Sequence, residues 1–152
     1  MAATTRAYRL CGSKHVAFDG AGARTSGGRW NRPGLAMVYT SQSESLALLE
    51  GLANLLPRQV PTGYVCICAE IPNTMIQDVG SLPASWRDRR DLSQRIGSDW
   101  IATRSSAVLR VPSAVLAREY NFLINPSHPD FANIRIDLPY EAEFDARLFR
   151  IT

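Results

Sequence analysis

An α+β fold with mixed or antiparallel sheets is predicted for this chain by three observations. Strand-like runs outnumber helical ones. They are separated irregularly, which argues against a repeating strand–helix–strand plan. No G-x-G-x-x-G follows a strand and no G-x-x-x-x-G-K-[ST] is present, so a Rossmann or P-loop nucleotide site is not supported. At 152 residues, one domain spanning 1–152 is the natural count, and that length supports a real core.

The elements are taken in chain order. Ala7-Tyr8-Arg9-Leu10 reads as a short first strand. Residues 12 to 28 are rich in Gly, Ser and Ala, which predicts a loop able to approach a ligand closely. Residues 35 to 40 read as a mostly buried strand. Ser41-Gln42-Ser43-Glu44 fits a capping box, with Ser41 as the cap of a helix. Leu46, Leu49, Leu52, Ala53 and Leu56 form the apolar stripe of that helix, and Pro57 helps to end it. Residues 64 to 71 make a strong strand. A second helix is predicted over about 91 to 103, capped by Asp91 and carrying Leu92, Ile96, Trp100 and Ile101. Strands follow at 107–111, stopped by Pro112, and around Asn121-Phe122-Leu123-Ile124. Two alternating runs, 134–138 and 147–151, complete the list.

Composition narrows the function classes. Apolar content of 45% and charged content of 20% place the chain among ordinary globular proteins. No apolar run approaches the roughly 20 residues that cross a bilayer, and no secretory signal is visible at the N-terminus. A cytoplasmic protein with no membrane association is expected. A net charge of +3, from 17 basic and 14 acidic residues, is too mild for a nucleic-acid surface, so no direct nucleic-acid binding is expected. The run Arg87-Asp88-Arg89-Arg90-Asp91 is interrupted by acids and reads as a solvated loop, with phosphate binding there as the lesser alternative. Cys66 and Cys68 fall on one face of a strand and read, with Cys11, as small apolar filler in a reduced core. His15 and His128, with no acidic cluster beside them, make a poor metal site, and His128 reads as part of a structured turn.

Three residues stand out as candidates for chemistry. Arg29, Tyr39 and Glu50 follow one another at steps of ten and eleven, in a glycine turn, a strand end and a helix. Arg29 follows Gly27-Gly28, and a guanidinium can bind phosphate oxygens bidentately. A solvated turn arginine has the same sequence signature. Tyr39 offers a ring for stacking or, equally, a half-buried core residue. At about 100° per residue, Glu50 falls about 40° from Leu46 and about 60° from Ala53, at the edge of the apolar stripe, while Glu44 and Gly51 mark the polar back. A carboxylate on that shoulder is partly desolvated, where functional carboxylates tend to sit. Snorkelling to water or pairing with an arginine is the alternative. Ser113 follows Val111-Pro112 and reads as a cap for a short turn at 114–118. No G-x-S-x-G or His/Asp partners surround it, which argues against a serine hydrolase. No second acid stands beside Glu50 to make a paired-carboxylate glycosidase.

Taken together, the segments Tyr8-Arg9, Gly27-Gly28-Arg29-Trp30-Asn31, Val38-Tyr39-Thr40-Ser41, Ala47-Leu48-Leu49-Glu50, Val111-Pro112-Ser113 and Asn121 through Pro129 resemble the RES-domain toxins of bacterial RES–Xre toxin–antitoxin pairs. The resemblance spans nearly the whole chain, and Arg29, Glu50 and Ser113 match the three residues behind the family's name. It implies an ADP-ribosyltransferase-like fold: two small mixed or antiparallel sheets with flanking helices and an NAD cleft between them. It implies NAD as substrate and no metal, with hydrolysis, phosphorolysis or transfer of ADP-ribose to a protein as the possible outcomes. Glu50, Arg29 and Tyr39 are then the catalytic candidates. Arg9, Arg29, Tyr39, Ser41, Ser113 and Asn121 are the substrate-binding candidates. An Xre-type helix-turn-helix antitoxin is the implied partner, in a homodimer or a larger toxin–antitoxin complex. A non-catalytic ligand-binding domain on the same scaffold is the remaining alternative.

Overall fold

The computed structural model describes residues 2–55 and 60–149. Its strands are β1 (Thr4–Gly12), β2 (Val38–Ser41), β3 (Tyr64–Pro72), β4 (Ile76–Asp78), β5 (Val108–Pro112), β6 (Tyr120–Ile124), β7 (Arg135–Ile136) and β8 (Tyr140–Ala142). Its α-helices are α1 (Ala21–Ser26), α2 (Glu44–Asn54) and α3 (Arg90–Thr103). No helix among the described residues is long and apolar enough to cross a membrane.

Instead of two separate sheets, the strands form one, in the order β4-β5-β6-β2-β1-β3-β7 with β8 also on β3. All pairings are antiparallel except β4 with β5. The pairing is nevertheless uneven. β1 runs beside β3 over its whole length, whereas β1 and β2 share the single pair Tyr8↔Ser41. The expected division into two halves survives as a seam between β1 and β2.

Strand alternation sorts the side chains into two cores. Ala7 and Cys11 of β1, Ile67, Ala69 and Ile71 of β3, Val38, Val108, Phe122 and Ile124 form one cluster, and both halves of the sheet contribute to it. The sheet therefore curls around this core. On the other face, Leu109, Val111, Leu123 and Met37 pack with Trp30 and with Trp100 of α3. Cys11, Cys66 and Cys68 are free and buried, and burial pushes all three thiols up, as expected of apolar filler.

Several local expectations change. The glycine-rich segment 12–28 contains the short helix α1. Ser41 does not cap α2, because the β2–β6 ladder continues through the pair Ser41↔Asn121. Ser43 caps instead, its hydroxyl accepting from the Leu46 N–H at 3.1 Å. In α3, Asp91 is not the cap but lies in the first turn, with Arg89 at the N-cap. The alternating run 134–138 pairs as a strand only over β7. The final run 147–151 forms a 3₁₀ turn over Ala146–Phe149 rather than a strand, and its last two residues lie outside the described ones. Leu56 and Pro57, expected at the end of α2, also lie outside them.

Candidate active site

The cleft opens on the sheet face that carries α2 and α3, at the β1–β2 seam. Its volume is about 570 Å3. Tyr8 and Ser41, the pair that joins the two halves, both line it, with Tyr39, Glu50, Asn121, Arg29 and Arg90.

Glu50 projects from the second turn of α2. Its Oε1 accepts two hydrogen bonds, from the Ser113 hydroxyl and from the Asn121 side-chain amide, each at 2.7 Å. Its Oε2 takes no hydrogen bond from the described residues. Ser113 is fully buried, and its oxygen also accepts the N–H groups of Val115 and Leu116 at 3.0 Å. It is thus the cap of the 114–118 turn and a donor to the carboxylate at once. The Ser41 hydroxyl donates to Asn121 Oδ1 at 2.7 Å. That bond fixes which end of the Asn121 amide faces Glu50. Ser41, Ser113 and Asn121 therefore converge on one carboxylate, and Ser113 does not itself line the cleft.

The Gly27-Gly28-Arg29-Trp30-Asn31 turn builds the opposite wall. Tyr39 reaches it across the cleft floor, donating its hydroxyl hydrogen to Asn31 Oδ1 at 2.6 Å and accepting the Trp30 N–H at 3.0 Å. Asn31 is fully buried, and its amide nitrogen donates to the carbonyls of Ala23, Arg32 and Leu35. Those three acceptors leave Oδ1 as the acceptor and make Tyr39 the donor. Burial pushes the Tyr39 hydroxyl up to about 12, with Arg90 and Arg29 among the groups pulling the other way. Tyr39 is thus a neutral ring with its hydroxyl committed to structure, not a proton carrier near neutral pH. Gly28 has to be a glycine, since a Cβ there would lie 2.5 Å from the Tyr39 hydroxyl.

The Arg29 guanidinium donates to the Arg87 carbonyl at 3.0 Å and lies 5.9 Å from the Trp86 ring centre. Arg9 is not a cleft residue. It falls on the strand face of Ala7 and Cys11, donates to the Ala17 carbonyl at 3.4 Å, and lies over Phe18. Tyr8, one residue away, takes the cleft face instead. Alternation around the apolar Ala7 and Cys11 was the signal for that choice. Sequence reasoning also passed over Asn31, whose three carbonyl acceptors lie within eight residues of it but are aimed at its amide only by the folded turn. The run Arg87–Asp91 is exposed, as expected of a solvated segment, but Arg90 is not in a loop: it opens α3 at the rim of the cleft.

A RES domain profile matches residues 6–145. The chain belongs to the RES-domain family. Among curated relatives, a "Prs ADP-ribosylating toxin" from Sphingobium is 35% identical over 88% of this chain and 87% of its own length. A "Toxin Res" from Photorhabdus laumondii is 37% identical over 82% of this chain and 83% of its own. Another "Toxin Res", from Yersinia enterocolitica, is 34% identical over 93% of this chain and 97% of its own. The fold is similar to that in the crystal structure of the M. tuberculosis MbcT–MbcA toxin–antitoxin complex, with a TM-score of 0.74 at 16% identity, over 98% of this chain and 88% of that one. In this RES domain, Arg29, Glu50 and Ser113 lie in the turn after α1, in α2 and after β5, and the fold gathers them around one cleft.

Proposed function

We propose that this RES domain is the toxin of a toxin–antitoxin pair and that it consumes NAD by cleaving the bond between nicotinamide and ribose. The observation that carries this reading is the state of Glu50. One carboxylate oxygen is held by two donors from separate segments, and the other is left for a ligand in a cleft whose far wall is cationic. Breaking the ribose C1′–N bond sends its electron pair to the nicotinamide nitrogen, so the ring leaves neutral. Positive charge builds on the sugar, as in glycoside hydrolysis. A prepositioned carboxylate stabilises that charge without reorganising. Tyr39 stacks on the leaving ring and orients it. Arg29 holds phosphate oxygens. An acceptor oxygen, from water or inorganic phosphate, then bonds to C1′ and its proton passes to solvent. The two-part sheet with a cleft at its seam supports an ADP-ribosyltransferase-like description. An Xre-type antitoxin that covers the cleft, in a homodimer or larger assembly, is the partner this reading assigns.

ADP-ribose transfer to a protein is the second reading, and the name of the Sphingobium relative favours it. Incubation with NAD, with and without phosphate, followed by product identification separates the cases. Free ADP-ribose indicates water, a phosphorylated sugar indicates phosphate, and a mass shift on a protein indicates transfer. Glu50→Gln is expected to lower NAD consumption by roughly 10²-fold or more with the fold intact. A folded Glu50→Gln protein that turns over NAD at the wild-type rate would falsify the role of the carboxylate.

A further inference from the structure

Arg29 and Arg90 are the two cations that line the cleft among the described residues, and neither has an acidic partner there. By contrast, Arg89 pairs with Asp91 at 3.4 Å, while Arg87 shares the Trp86 ring with Arg29. The one carboxylate that lines the cleft among the described residues, Glu50, is tied to Ser113 and Asn121.

These two cations are not held together by chance of a flexible loop. The first turns of α3 are bonded to the turn that carries Arg29. Ser93 donates its hydroxyl to the Arg29 carbonyl at 2.6 Å, and the Gln94 amide donates to the carbonyls of Gly28 at 2.9 Å and Asn31 at 3.2 Å. Lower on the helix, Gly97 lets the Trp30 carbonyl come so close that a Cβ would lie 1.8 Å from it. Arg90 and Arg29 are thus mounted on one rigid unit facing the same space. Arg29 is half-buried and Arg90 exposed, so both guanidiniums are open to a ligand entering the cleft, and two cations on one wall with no acidic partner favour an anion there. The α3 N-terminus, which has no side-chain cap, adds its own positive end on the same side.

We propose that Arg90 is the second arm of a diphosphate clamp: its guanidinium and that of Arg29 together take phosphate oxygens of a dinucleotide. Arg29 enters the clamp with one nitrogen committed to the Arg87 carbonyl, which sets its orientation. Arg90 brings a guanidinium with no partner among the described residues. The strand geometry fits this division. Tyr39 and Ser41 lie two residues apart on one face of β2, about 6.6 Å. One reaches the arginine wall and the other the Glu50 corner. A diphosphate at the first and a ribose at the second match the span of a nucleotide.

This assignment rests on the NAD reading of the cleft, so the test measures binding apart from turnover. Calorimetry compares the full chain carrying Glu50→Gln with the same chain carrying Arg90→Ala or Arg90→Lys as well. NAD, ADP-ribose and inorganic phosphate are the ligands, each at several salt concentrations. Arg90→Ala is expected to raise the dissociation constants of NAD and ADP-ribose roughly tenfold or more, and to flatten their dependence on salt. Arg90→Lys is expected to recover part of the affinity and most of the salt dependence. Unchanged affinity in Arg90→Ala overturns the clamp, as does weakened affinity with an unchanged salt slope. Unchanged NAD affinity with lost inorganic phosphate binding also overturns it, because Arg90 then serves an acceptor phosphate. If wild-type and Glu50→Gln proteins both fail to bind either ligand, the nucleotide reading of the cleft falls and takes the clamp with it.

Discussion

α2 and α3 both border the cleft, and each places a glycine against a neighbour, yet the two glycines meet different things. A Cβ at Gly97 of α3 would lie 1.8 Å from the Trp30 carbonyl oxygen, which is backbone. A Cβ at Gly51 of α2 would lie 2.8 Å from Leu10 Cδ2, the far end of a flexible side chain. The difference extends along both helices. α3 buries Ser93, Gly97 and Trp100 and sends two polar side chains into the carbonyls of the Gly28–Asn31 turn. α2 buries Leu46 and Ala47 and presents one carboxylate, held from outside by residues of other strands and turns. α3 is a frame that fixes a wall, whereas α2 is a mount for one reactive group. A glycine on the frame has no room to change, and one on the mount does.

That contrast can be broken by four substitutions. Gly97→Ala is expected to cost about 3 kcal/mol or more, because backbone must move to admit the methyl. A urea melt superimposable on wild type would remove the frame argument. Asn121→Ala is expected to lower kcat for NAD consumption by roughly 10- to 100-fold while leaving KM within a few-fold, since it frees the carboxylate without removing it. An equal rise in KM would instead make Asn121 a direct binding group.

Tyr39→Phe keeps the ring and removes two hydrogen bonds, leaving the Trp30 N–H and Asn31 Oδ1 short of a partner. A loss of about 1–2 kcal/mol is expected below pH 9, with activity reduced far less than in Glu50→Gln. This variant also has a pH signature. The folded hydroxyl titrates at about 12, above its ordinary value near 10. Its contribution is therefore fully present below pH 10 and is lost as the pH rises from about 10 to about 12, where only the unfolded chain ionises readily. The stability gap between wild type and Tyr39→Phe should shrink over that window, and a constant gap in melts taken across it would contradict the buried, neutral hydroxyl. Gly51→Ala should have the smallest effect, under about 1 kcal/mol in either direction, because gained helix propensity offsets the displacement of Leu10. A loss comparable to Gly97→Ala would erase the distinction between the helices.

Much of the architecture was legible from local pattern. The β3 strand, the α3 helix and the β5 and β6 strands announce themselves by periodicity, and the position of Glu50 on the shoulder of α2 follows from its helical phase. The same helical reading placed Gly51 on a polar back, whereas Gly51 packs against Leu10 and lines the cleft. Two elements beyond α2 mark where local pattern fails. The Ser41 capping box is a good local match, but pairing with Asn121 keeps Ser41 in the sheet. The sequence 12–28 looks like loop by composition and contains a helix.

Local sequence determined which residue types are present and at what phase: a guanidinium in a glycine turn, a ring at a strand end, a carboxylate on a helix shoulder, a serine after a proline. Tertiary structure decided what they do to one another. It turned the Ser113 cap into a donor for Glu50, oriented the Asn121 amide through Ser41, and locked the Tyr39 hydroxyl onto Asn31. It replaced Arg9 with Tyr8 at the cleft and set Arg90, from an exposed run, on the lining of the cleft that Arg29 also lines. The physical reason is range. Periodicity and capping act over a few residues, but most of these outcomes are fixed by a strand register or a close contact between segments dozens of residues apart, and even the Tyr39–Asn31 bond, eight residues apart, needs the folded turn to aim its two ends.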